Sequence, residues 1–518
     1  MITTLRVRIR ERERQKAFAQ YFGGKMIGLG IVVLGMWALA WYFSTKAGAT
    51  MLGQTTPSVT AADTVNPINT TWTLVTAFLV FFMQAGFMFL EAGFARTREV
   101  SNVMISCIAD TCLCALLFWA FGFAFMFGSG NGWIGHQYFF LHGAPHTYGS
   151  TGVAFLAFFL FQYAFADTCS TVTTGSMVGR TAFGGDLIYS VMVSGFIYPI
   201  LGHWVWGPDG WLATMHTPFH DFAGSTVVHS IGGFIALAGA IVLGPRIGRK
   251  FKRDGGGMPP GHDMTIAAVG GVILWFGWYG FNPGSTLSAM DFEGIGRVAT
   301  NTTLAASAAG LVAMFFVYPR AHKWDTGISI NGFLAGLVAI TCPCYWVSPF
   351  GAICIGAVAG VVVVLGVDLL EHLRIDDPIG AWPVHGLCGM WGTWALGLFA
   401  TGQYGGATAT GPDPSTAFKG LFYGGGFHQL QFQIFGSVVI CTCTFVIALA
   451  VMYAVKALGV LRISEEVEIQ GLDLHEHGAP AYHPEFAYMG YSPLPGGKSN
   501  RPAGGVTIPS DTAIGVGD

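Results

Sequence analysis

The sequence has few charged residues. Only 10% of its 518 residues are Asp, Glu, Lys or Arg, whereas about 25% is usual for a soluble globular domain. Hydrophobic residues make up 52%, and the mean hydropathy is +0.54. A chain of this composition cannot cover its apolar surface with polar side chains, which excludes an ordinary soluble fold. We therefore predict an all-α, polytopic membrane protein.

A strong net charge and a disulfide framework are also lacking. The formal net charge is -3, so the composition gives no argument for nucleic acid or for an acidic substrate. All ten cysteines fall in apolar segments, where free Cys usually behaves as a small hydrophobic residue. Side chains two positions apart point to nearly opposite faces of a helix, so we expect no metal site at the three C-x-C pairs, Cys112/Cys114, Cys342/Cys344 and Cys441/Cys443.

Long apolar segments are abundant instead. Each is near the length that a membrane-spanning helix needs, and together they define a transmembrane domain over residues 72–455. The tail, residues 456–518, is acidic near residue 465 and then rich in Pro and Gly, so we expect part of it to be disordered. The eleven segments are 73–94, 102–127, 151–173, 183–205, 224–244, 264–281, 298–318, 328–346, 350–367, 383–400 and 430–455.

The N-terminal region differs from the rest of the chain. Residues 1–25 carry seven Arg and Lys, and an apolar run from Met26 to Phe43 ends shortly before three small residues, 47–49. This pattern is typical of a secretory signal peptide, but the run is long for one, so a retained signal-anchor helix is an equal alternative. We assign residues 1–50 to one of these two, and the polar stretch 51–71 to an extracytoplasmic linker.

Basic residues predict the orientation of the chain in the membrane. Eleven Arg and Lys lie in alternate loops, whereas the opposite loops hold only Lys46, Arg297 and Lys419. Because cytoplasmic loops carry the excess of basic residues, the first set of loops and the C-terminus are predicted to be cytoplasmic, in a multi-pass inner-membrane protein. The loops rich in Arg and Lys are 95–101, 174–182, 245–263, 319–327 and 368–382.

One motif occurs twice. The pattern D-x-x-G-x-x-x-V-H runs from Asp221 to His229 and again, 156 positions later, from Asp377 to His385. Each Asp can cap a helix start by accepting from free backbone N–H groups. Eight residues then place each His roughly 12 Å along its helix, near the middle of an apolar layer about 30 Å thick. The fifth and tenth segments run in opposite directions, so we predict two inverted five-helix repeats plus a C-terminal helix.

Ionisable residues deep in apolar segments are rare in this chain. His229 and His385 are the only two of its 15 histidines at such depth, and an ionisable group at membrane depth generally indicates function because it is costly to place there. A neutral, mutually hydrogen-bonded pair that only fixes two helices is the alternative. Glu91, five residues before Arg96, is interpreted as a structural ion pair or a helix-end bond and not as a substrate group.

Two chemistries fit these residues. Paired transmembrane histidines can be axial ligands of haem iron, with Gly232 and Gly386 leaving room, which would make the protein an electron carrier. Alternatively, aromatic faces near the predicted outer helix ends can replace part of the hydration shell of an ammonium-type cation, although most such residues are belt or packing residues. Ser285 could accept a hydrogen bond from that cation. The aromatic residues are Phe161, Phe165, Trp204, Trp206, Trp275, Trp278 and Phe281.

Eight stretches, all in one order, resemble a known family. The chain is similar to the ammonium transporter family, which includes methylammonium permeases and Rhesus-type channels, over about residues 72 to 482, and it resembles the ammonium-transporter branch more than the Rhesus branch. The stretches are FMQAGFMFLEAGFAR (82–96), FQYAF (161–165), DFAGSTVVH (221–229), LWFGWYGFNPGS (274–285), NGFLAGLVAIT (331–341), DDPIGAWPVHGLCGMWG (376–392), GLFYGGGFHQL (420–430) and ISEEVEIQGLDLHEHGAPAY (463–482).

The resemblance implies a non-enzymatic transporter or channel that takes up ammonium, with methylammonium as an analogue. It implies an outer site that recruits ammonium, an aromatic gate, and twin histidines that share a proton on an otherwise apolar path. Asp221 would support the outer site without lying in the pore. The residues carried over are Trp206, Phe165, Ser285 and Asp221 at the outer site, Phe165 and Phe281 at the gate, and His229, His385 and Trp278 in the pore.

The resemblance also implies partners. The family fold has eleven helices in a homotrimer with one pore per subunit, and its acidic cytoplasmic tail docks PII-type nitrogen-regulatory proteins. An ammonium sensor that signals through its tail is an alternative within the same resemblance. One departure concerns Val178-Gly179-Arg180, which stands where family members commonly have Ala-Glu-Arg, so we expect a salt bridge at the cytoplasmic end to be missing.

Overall fold

The computed structural model describes residues 61–408 and 411–482. The predicted signal or anchor segment 1–50, residues 51–60 of the predicted linker and the tail beyond residue 482 lie outside this part of the chain. Helices dominate it: α1 (Ala61–Phe94), α2 (Val100–Phe127), α3 (Phe155–Gly175), α4 (Phe183–Trp206), α5 (Ser225–Leu243), α6 (Met264–Gly284), α7 (Phe292–Ala321), α8 (Thr326–Thr341), α9 (Pro349–Leu373), α10 (382–399), α11 (His428–Ala457) and the short α12 (Glu465–Gln470).

Small β-pairs lie only in loops of the described residues. Each is antiparallel and two-stranded: β1 (Gly130–Asn131) with β2 (Ile134–Gly135), β3 (Thr147–Tyr148) with β4 (Val153–Ala154), and β5 (Gly406–Thr408) with β6 (Gly411–Asp413). Nine helices of the described part are long and apolar enough to cross a membrane, and α8 is a shorter apolar helix. The predicted all-α, polytopic membrane fold is therefore confirmed, whereas the count of eleven spans stays a prediction.

The polar stretch 61–71 is helical, so its assignment to a linker was wrong. α1 already begins at Ala61. The side-chain amide of Asn69 donates to the backbone O of Thr151 at 2.8 Å, and the hydroxyl of Thr70 accepts from the backbone N–H of Ala154 at 3.0 Å. These polar side chains therefore join the first turns of α1 to the loop before α3, which a reading of composition alone cannot show.

α5 begins at a cap made by Asp221. Its carboxylate accepts hydrogen bonds at 2.9–3.0 Å from four backbone N–H groups, those of Gly224, Ser225, Thr226 and Val227. Gly224 has a φ of +112°, a conformation that glycine adopts without the steric cost of a Cβ. One carboxylate thus satisfies the N–H groups that a helix start leaves free.

Asp377 repeats this arrangement at the start of α10. Its carboxylate accepts at 2.9–3.1 Å from the backbone N–H groups of Gly380, Ala381 and Trp382, and Gly380 has a φ of +77°. Both helices also start with a π-helical segment, Ser225–Ser230 in α5 and Trp382–Leu387 in α10. The prediction that each copy of the motif opens a helix is confirmed.

α5 and α10 cross in opposite directions. The hydroxyls of Thr226 and Thr393 lie 2.6 Å apart. Further along α5, a Cβ added to Gly233 would collide with the backbone of Gly386. From Thr226 to Gly233 the residue numbers rise along α5, whereas their contacts on α10 go down from Thr393 to Gly386. The two helices are antiparallel, as the helices of inverted repeats are.

α1 and α6, the first helices of the two predicted repeats, approach closely at glycines. A Cβ added to Gly93 would lie 2.5 Å from the backbone N of Ala267, and one added to Gly280 would lie 2.6 Å from the backbone O of Thr76. Small residues allow such approach where lipid gives no hydrophobic drive between helices. Glycines thus permit tight packing of α1 on α6.

An arginine network joins the two repeats at the end of the bundle that carries the basic loops. Arg180 is fully buried and donates to the backbone O of Gly244 at 3.1 Å and of Asp376 at 2.6 Å. Arg246 forms an ion pair of 2.8 Å with the Asp376 carboxylate. Burial raises the pKa of Asp376, but hydrogen bonds from Arg246 and the charge of Arg180 outweigh burial and hold the pKa below its usual value.

A salt bridge between two other residues lies beside Gly179, which itself has no side chain to form one. Glu99, fully buried at the start of α2, pairs with Arg96. A Cβ added to Gly179 would lie 2.8 Å from each carboxylate oxygen of Glu99. Glu99 thus occupies the space that a larger side chain at position 179 would need. The carboxylate of the salt bridge at this place is therefore supplied by residue 99, just before α2, and not by residue 179.

Gly179→Glu is expected to lower thermal stability. Gly179 has a φ of +84°, which costs a residue with a Cβ about 1–2 kcal/mol, and the new carboxylate would face Glu99. The denaturation midpoint of the purified variant should fall, and adding Glu99→Gln should restore part of the loss. Gly184→Glu is the control because no atom of the described residues lies within 4 Å of its added Cβ. A Gly179→Glu protein as stable as this control would contradict the assignment.

The acidic part of the tail packs against the basic loops. The Asp473 carboxylate accepts from the backbone N–H groups of Ser101 at 3.1 Å and Asn102 at 2.9 Å, in the first turn of α2. Glu468 accepts from the backbone N–H of Ile247 at 2.6 Å. The tail therefore supplies a cap to α2 and contacts the α5–α6 loop.

Candidate functional site

A cavity opens at the ends of α3, α4 and α6 that are predicted to face outward. Its volume is ≈ 560 Å³, and it lies beside the start of α5. All four predicted outer-site residues line it: Phe165, Trp206, Asp221 and Ser285. Sequence analysis missed other residues of the lining, among them Gln162, His220, Phe222, Leu287 and Trp346.

Asp221 holds one wall of this cavity in place. The indole N–H of Trp206 donates to the backbone O of Asp221 at 2.7 Å. The Asp221 carboxylate is occupied by the four N–H groups of α5, so this residue fixes Trp206 and the helix start and does not offer its charge to a ligand. Ser285 donates its hydroxyl proton to the backbone O of Phe281 at 2.8 Å, which leaves the oxygen free to accept a hydrogen bond in the cavity.

His220 contributes a neutral ring to the same cavity. It stacks on Phe418 with ring centroids 4.5 Å apart. Burial lowers the pKa of His220 to about 4, so the ring carries no charge at neutral pH and does not repel a cation. His220 and Phe222 flank the capping Asp221, which is the sequence signal that could have identified them. No local pattern marks Trp346.

Two phenylalanines close the bottom of the cavity. Phe165 and Phe281 stack with centroids 3.9 Å apart and ring planes at 23°, and both are almost fully buried. Phe161 packs on Phe165 at 4.6 Å. The predicted gate pair is therefore in contact and separates the cavity from the histidines below it.

The two histidines meet directly beneath this stack. The Nδ1 atoms of His229 and His385 lie 3.2 Å apart. His229 stacks on Trp278 at 5.0 Å and on Phe281 at 5.3 Å, and Trp278 donates its indole N–H to the Thr341 hydroxyl at 2.8 Å. All predicted pore residues are thus brought into one column that runs down from the gate.

This histidine pair is suited to move a proton. A hydrogen bond between two Nδ1 atoms requires one ring to donate and the other to accept. The donor ring then has a free lone pair on Nε2 while the acceptor ring carries N–H there, so uptake of a proton at one end can accompany release at the other. The Nε2 atom of His229 is buried and has no hydrogen-bond partner in the described part of the chain.

Direct contact between the rings argues against haem. Axial ligation needs an iron and its porphyrin between the two histidines, and a separation of 3.2 Å between Nδ1 atoms leaves no space for them. The sequence-based alternative of an electron carrier therefore has no geometric support.

Three of the residues considered from the sequence lie elsewhere. Trp204 donates to the backbone O of Trp133 at 3.0 Å, and Trp275 packs on Phe333 at 5.4 Å; neither lines the cavity. The Glu91 carboxylate accepts from the hydroxyl of Thr174 at 2.9 and 3.0 Å. Thr174 is in the last turn of α3, so Glu91 makes a helix-end bond and not the ion pair.

Known proteins share this architecture. Residues 71–482 match the sequence model of the Ammonium Transporter Family. The chain belongs to the ammonium transporter family. Ammonium transporter Amt2 of Archaeoglobus fulgidus is 43% identical over 433 residues, 81% of this chain and 89% of that protein. Ammonium transporter 1 member 3 of Solanum lycopersicum is 38% identical over 442 residues, 81% of this chain and 94% of that protein.

Solved structures with the same fold include transporters of this family. The structure of a Sensor Amt Protein superimposes with a TM-score of 0.72 at 36% identity, covering 80% of this ammonium transporter and 99% of that chain. Mep2 of Candida albicans has a TM-score of 0.70 at 28% identity, covering 79% of this chain and 89% of that one. The membrane-transporter class predicted from the sequence is therefore confirmed.

Proposed function

We propose that this protein recruits ammonium in the outer aromatic cavity, removes one proton from it, and conducts ammonia past His229 and His385 while the proton moves separately. The observation that carries the proposal is the alignment of three layers: the cavity with Trp206 and Ser285, the stack of Phe165 on Phe281, and the hydrogen-bonded histidine pair.

Recruitment rests on aromatic faces and one hydroxyl. Trp206 and Phe165 both line the cavity, with ring centroids 6.2 Å apart. A cation over such faces gains about 2 kcal/mol per contact when it is desolvated, and Ser285 can accept one of its N–H groups. This gain is enough to concentrate a small cation at the mouth of the pore.

Deprotonation follows from the cost of the next step. Moving a bare ion into an apolar interior has an idealised cost of tens of kcal/mol, far more than two contacts of about 2 kcal/mol can offset. Neutral ammonia avoids this cost. His229 and His385 can hydrogen-bond ammonia and relay the proton, because each imidazole has one donor and one acceptor nitrogen when neutral.

Ammonium-jump currents on the purified protein in liposomes test the function. A conductor gives a current that scales with the ammonium step, whereas a sensor binds ammonium and gives none. Sensing is the second candidate, favoured by the similarity to a Sensor Amt Protein. An absorption spectrum of the same sample excludes or reveals haem. Absence of current together with ammonium binding would replace transport by sensing.

Placement and assembly are part of the proposal. The basic loops support an inner-membrane location with a cytoplasmic C-terminus, and the family resemblance supports a homotrimer and a PII-type partner at that face. The Glu468 and Asp473 contacts with the α5–α6 loop and α2 would let a partner at the tail act on the helices that surround the pore.

Deleting the residues after Leu461 should change transport or abolish binding of a PII-type protein. The deletion removes the Asp473 cap of α2 and the Glu468 contact with Ile247, while the membrane helices remain. Methylammonium uptake and pull-down with a PII-type protein are the measurements. Truncation after Tyr482 is the matched control, because it keeps both contacts. Equal uptake and equal binding in the two truncations would leave the described tail without a role.

A further inference from the structure

A group of acidic residues is buried between α2, α3 and α4, away from the pore. Asp110 on α2, Asp167 on α3 and Asp186 on α4 are 2%, 0% and 5% exposed. Among the described residues, no Lys, Arg or His forms an ion pair with any of them. Both carboxylate oxygens of Asp167 and one of Asp110 have no hydrogen-bond partner there.

Hydroxyl groups lie beside each of these acids, and those of Thr111 and Tyr163 face Asp167. Ser106 and Tyr189 face Asp186, and Tyr189 donates its hydroxyl to that carboxylate. Ser190 faces Asp110, and it is 1% exposed with no hydrogen-bond partner in the described residues. We call this group, Asp110, Asp167 and Asp186 with Ser106, Ser190 and Tyr189, the acid seam.

The acid seam reaches a small polar cavity at the end of the bundle that carries the basic loops. The cavity has a volume of ≈ 20 Å³, enough for one water molecule, which needs about 10–15 Å³ and polar partners. Its polar lining includes Glu91, Ser106, Thr174, Asp186 and Tyr189. At 1.5 Å per residue, Asp186 lies about 5 Å above the start of α4 and Asp110 about 15 Å above the start of α2. The seam thus leads from the cavity to mid-membrane depth.

Unpaired carboxylates are costly at such depth. A buried charge without a partner is strongly destabilising, and the groups that act on Asp110 include Asp186, Asp167 and Glu91, all of the same sign. A carboxyl that holds a proton removes this repulsion and can donate a hydrogen bond to a neighbouring oxygen. The titratable groups around the seam are Glu91 on α1, Cys107 and Cys114 on α2, Tyr163 on α3, Tyr189 on α4 and His477 of the tail.

We propose that the acid seam is a proton-binding site that exchanges with the cytoplasmic side and acts on the gate. In the release step the O–H bond of one carboxyl breaks, and the proton passes to water in the small cavity and on to the cytoplasm. Asp167 lies two residues after Phe165 on α3, so a change of charge at Asp167 acts on the helix that carries the gate. The proton site stands by itself, whereas its effect on the gate rests on the proposed transport function.

Infrared spectroscopy of the purified protein in liposomes tests the site directly. A carboxyl that holds a proton has a C=O stretch that a carboxylate lacks, and we expect such a band to persist at neutral pH. Asp110→Asn, Asp167→Asn and Asp186→Asn should each change or remove part of it. Asp291→Asn is the matched control, because Asp291 is also buried but lies outside the acid seam and is hydrogen-bonded by Gly294 and Tyr345. A band that is absent, or unchanged in all three seam variants, overturns the proposal.

Ammonium currents test the effect on the gate. We expect the wild-type current to depend on the pH of the cytoplasmic side, and Asp167→Asn to keep a current that has lost most of this dependence. Equal dependence in both proteins overturns the link to the gate. A wild-type protein with the infrared band but no ammonium current would refute the proposed transport function while the proton site stands.

Discussion

Replacing His229 by Asp, or His385 by Glu, should let potassium through the pore. In the wild-type protein the path below Phe165 and Phe281 offers a cation the uncharged pair of His229 and His385 and the ring of Trp278. Potassium has no proton to give up, so it cannot pass as a neutral species. A carboxylate placed among the pore residues supplies a fixed negative charge that can stabilise a whole cation there.

The expected effect is large. At a separation of about 4 Å and an effective dielectric constant of about 20, the attraction between the new carboxylate and a cation is about 4 kcal/mol. This corresponds to roughly a thousandfold increase in the equilibrium occupancy of the pore by that cation. Potassium-driven and ammonium-driven currents in liposomes measure it for wild type and both variants. His216→Asp is the control. His216 is exposed in the loop after α4, so its replacement by Asp adds the same charge outside the pore. Unchanged ammonium selectivity in both pore variants would refute the proton-separation account.

Asp221→Ala should abolish transport. The Asp221 carboxylate binds four backbone N–H groups of α5 at 2.9–3.0 Å, and a hydrogen bond to a charged group contributes about 1.5–3 kcal/mol. Without these bonds the start of α5 is free to move, together with Trp206, which is held by the Asp221 backbone. Both the recruitment wall and the position of His229 depend on this helix start.

Methylammonium uptake and the denaturation midpoint measure this effect together. Asp221→Asn keeps one side-chain oxygen as an acceptor, so we expect partial transport and a smaller loss of stability. Asp413→Ala is a control in a loop predicted to lie outside, where the Asp413 carboxylate accepts from the backbone N–H and the hydroxyl of Ser415. Wild-type uptake by Asp221→Ala would show that the cap does not position the site.

The sequence predicts the helices and the twin motif well, because both depend on local chemistry. Apolar length marks the spans, and an Asp three residues before a Gly marks each helix start, as Asp221 and Asp377 confirm. The repeat also places His229 and His385 at the same depth in antiparallel helices. Their direct contact, 3.2 Å between Nδ1 atoms, needs the crossing of α5 and α10 that glycines permit.

Contacts between distant segments could not be predicted in this way. Glu99 fills the space beside Gly179 although the two are 80 positions apart, and no pattern in one sequence links them. The polar composition of 61–71 suggests a linker because the helix extends beyond the apolar layer, where hydropathy no longer marks it. The acid seam could not be predicted for a related reason. Asp110, Asp167 and Asp186 each lie singly in a different apolar segment, and only the packing of the helices brings them together.

The most direct test of the central claim compares two cations on one sample. Wild-type protein in liposomes is given equal steps of ammonium and of potassium, and the current is recorded for each. Our account predicts an ammonium current and no potassium current, because only ammonium can leave its charge behind as a proton. A potassium current comparable with the ammonium current would show that whole ions cross the pore and would contradict the account.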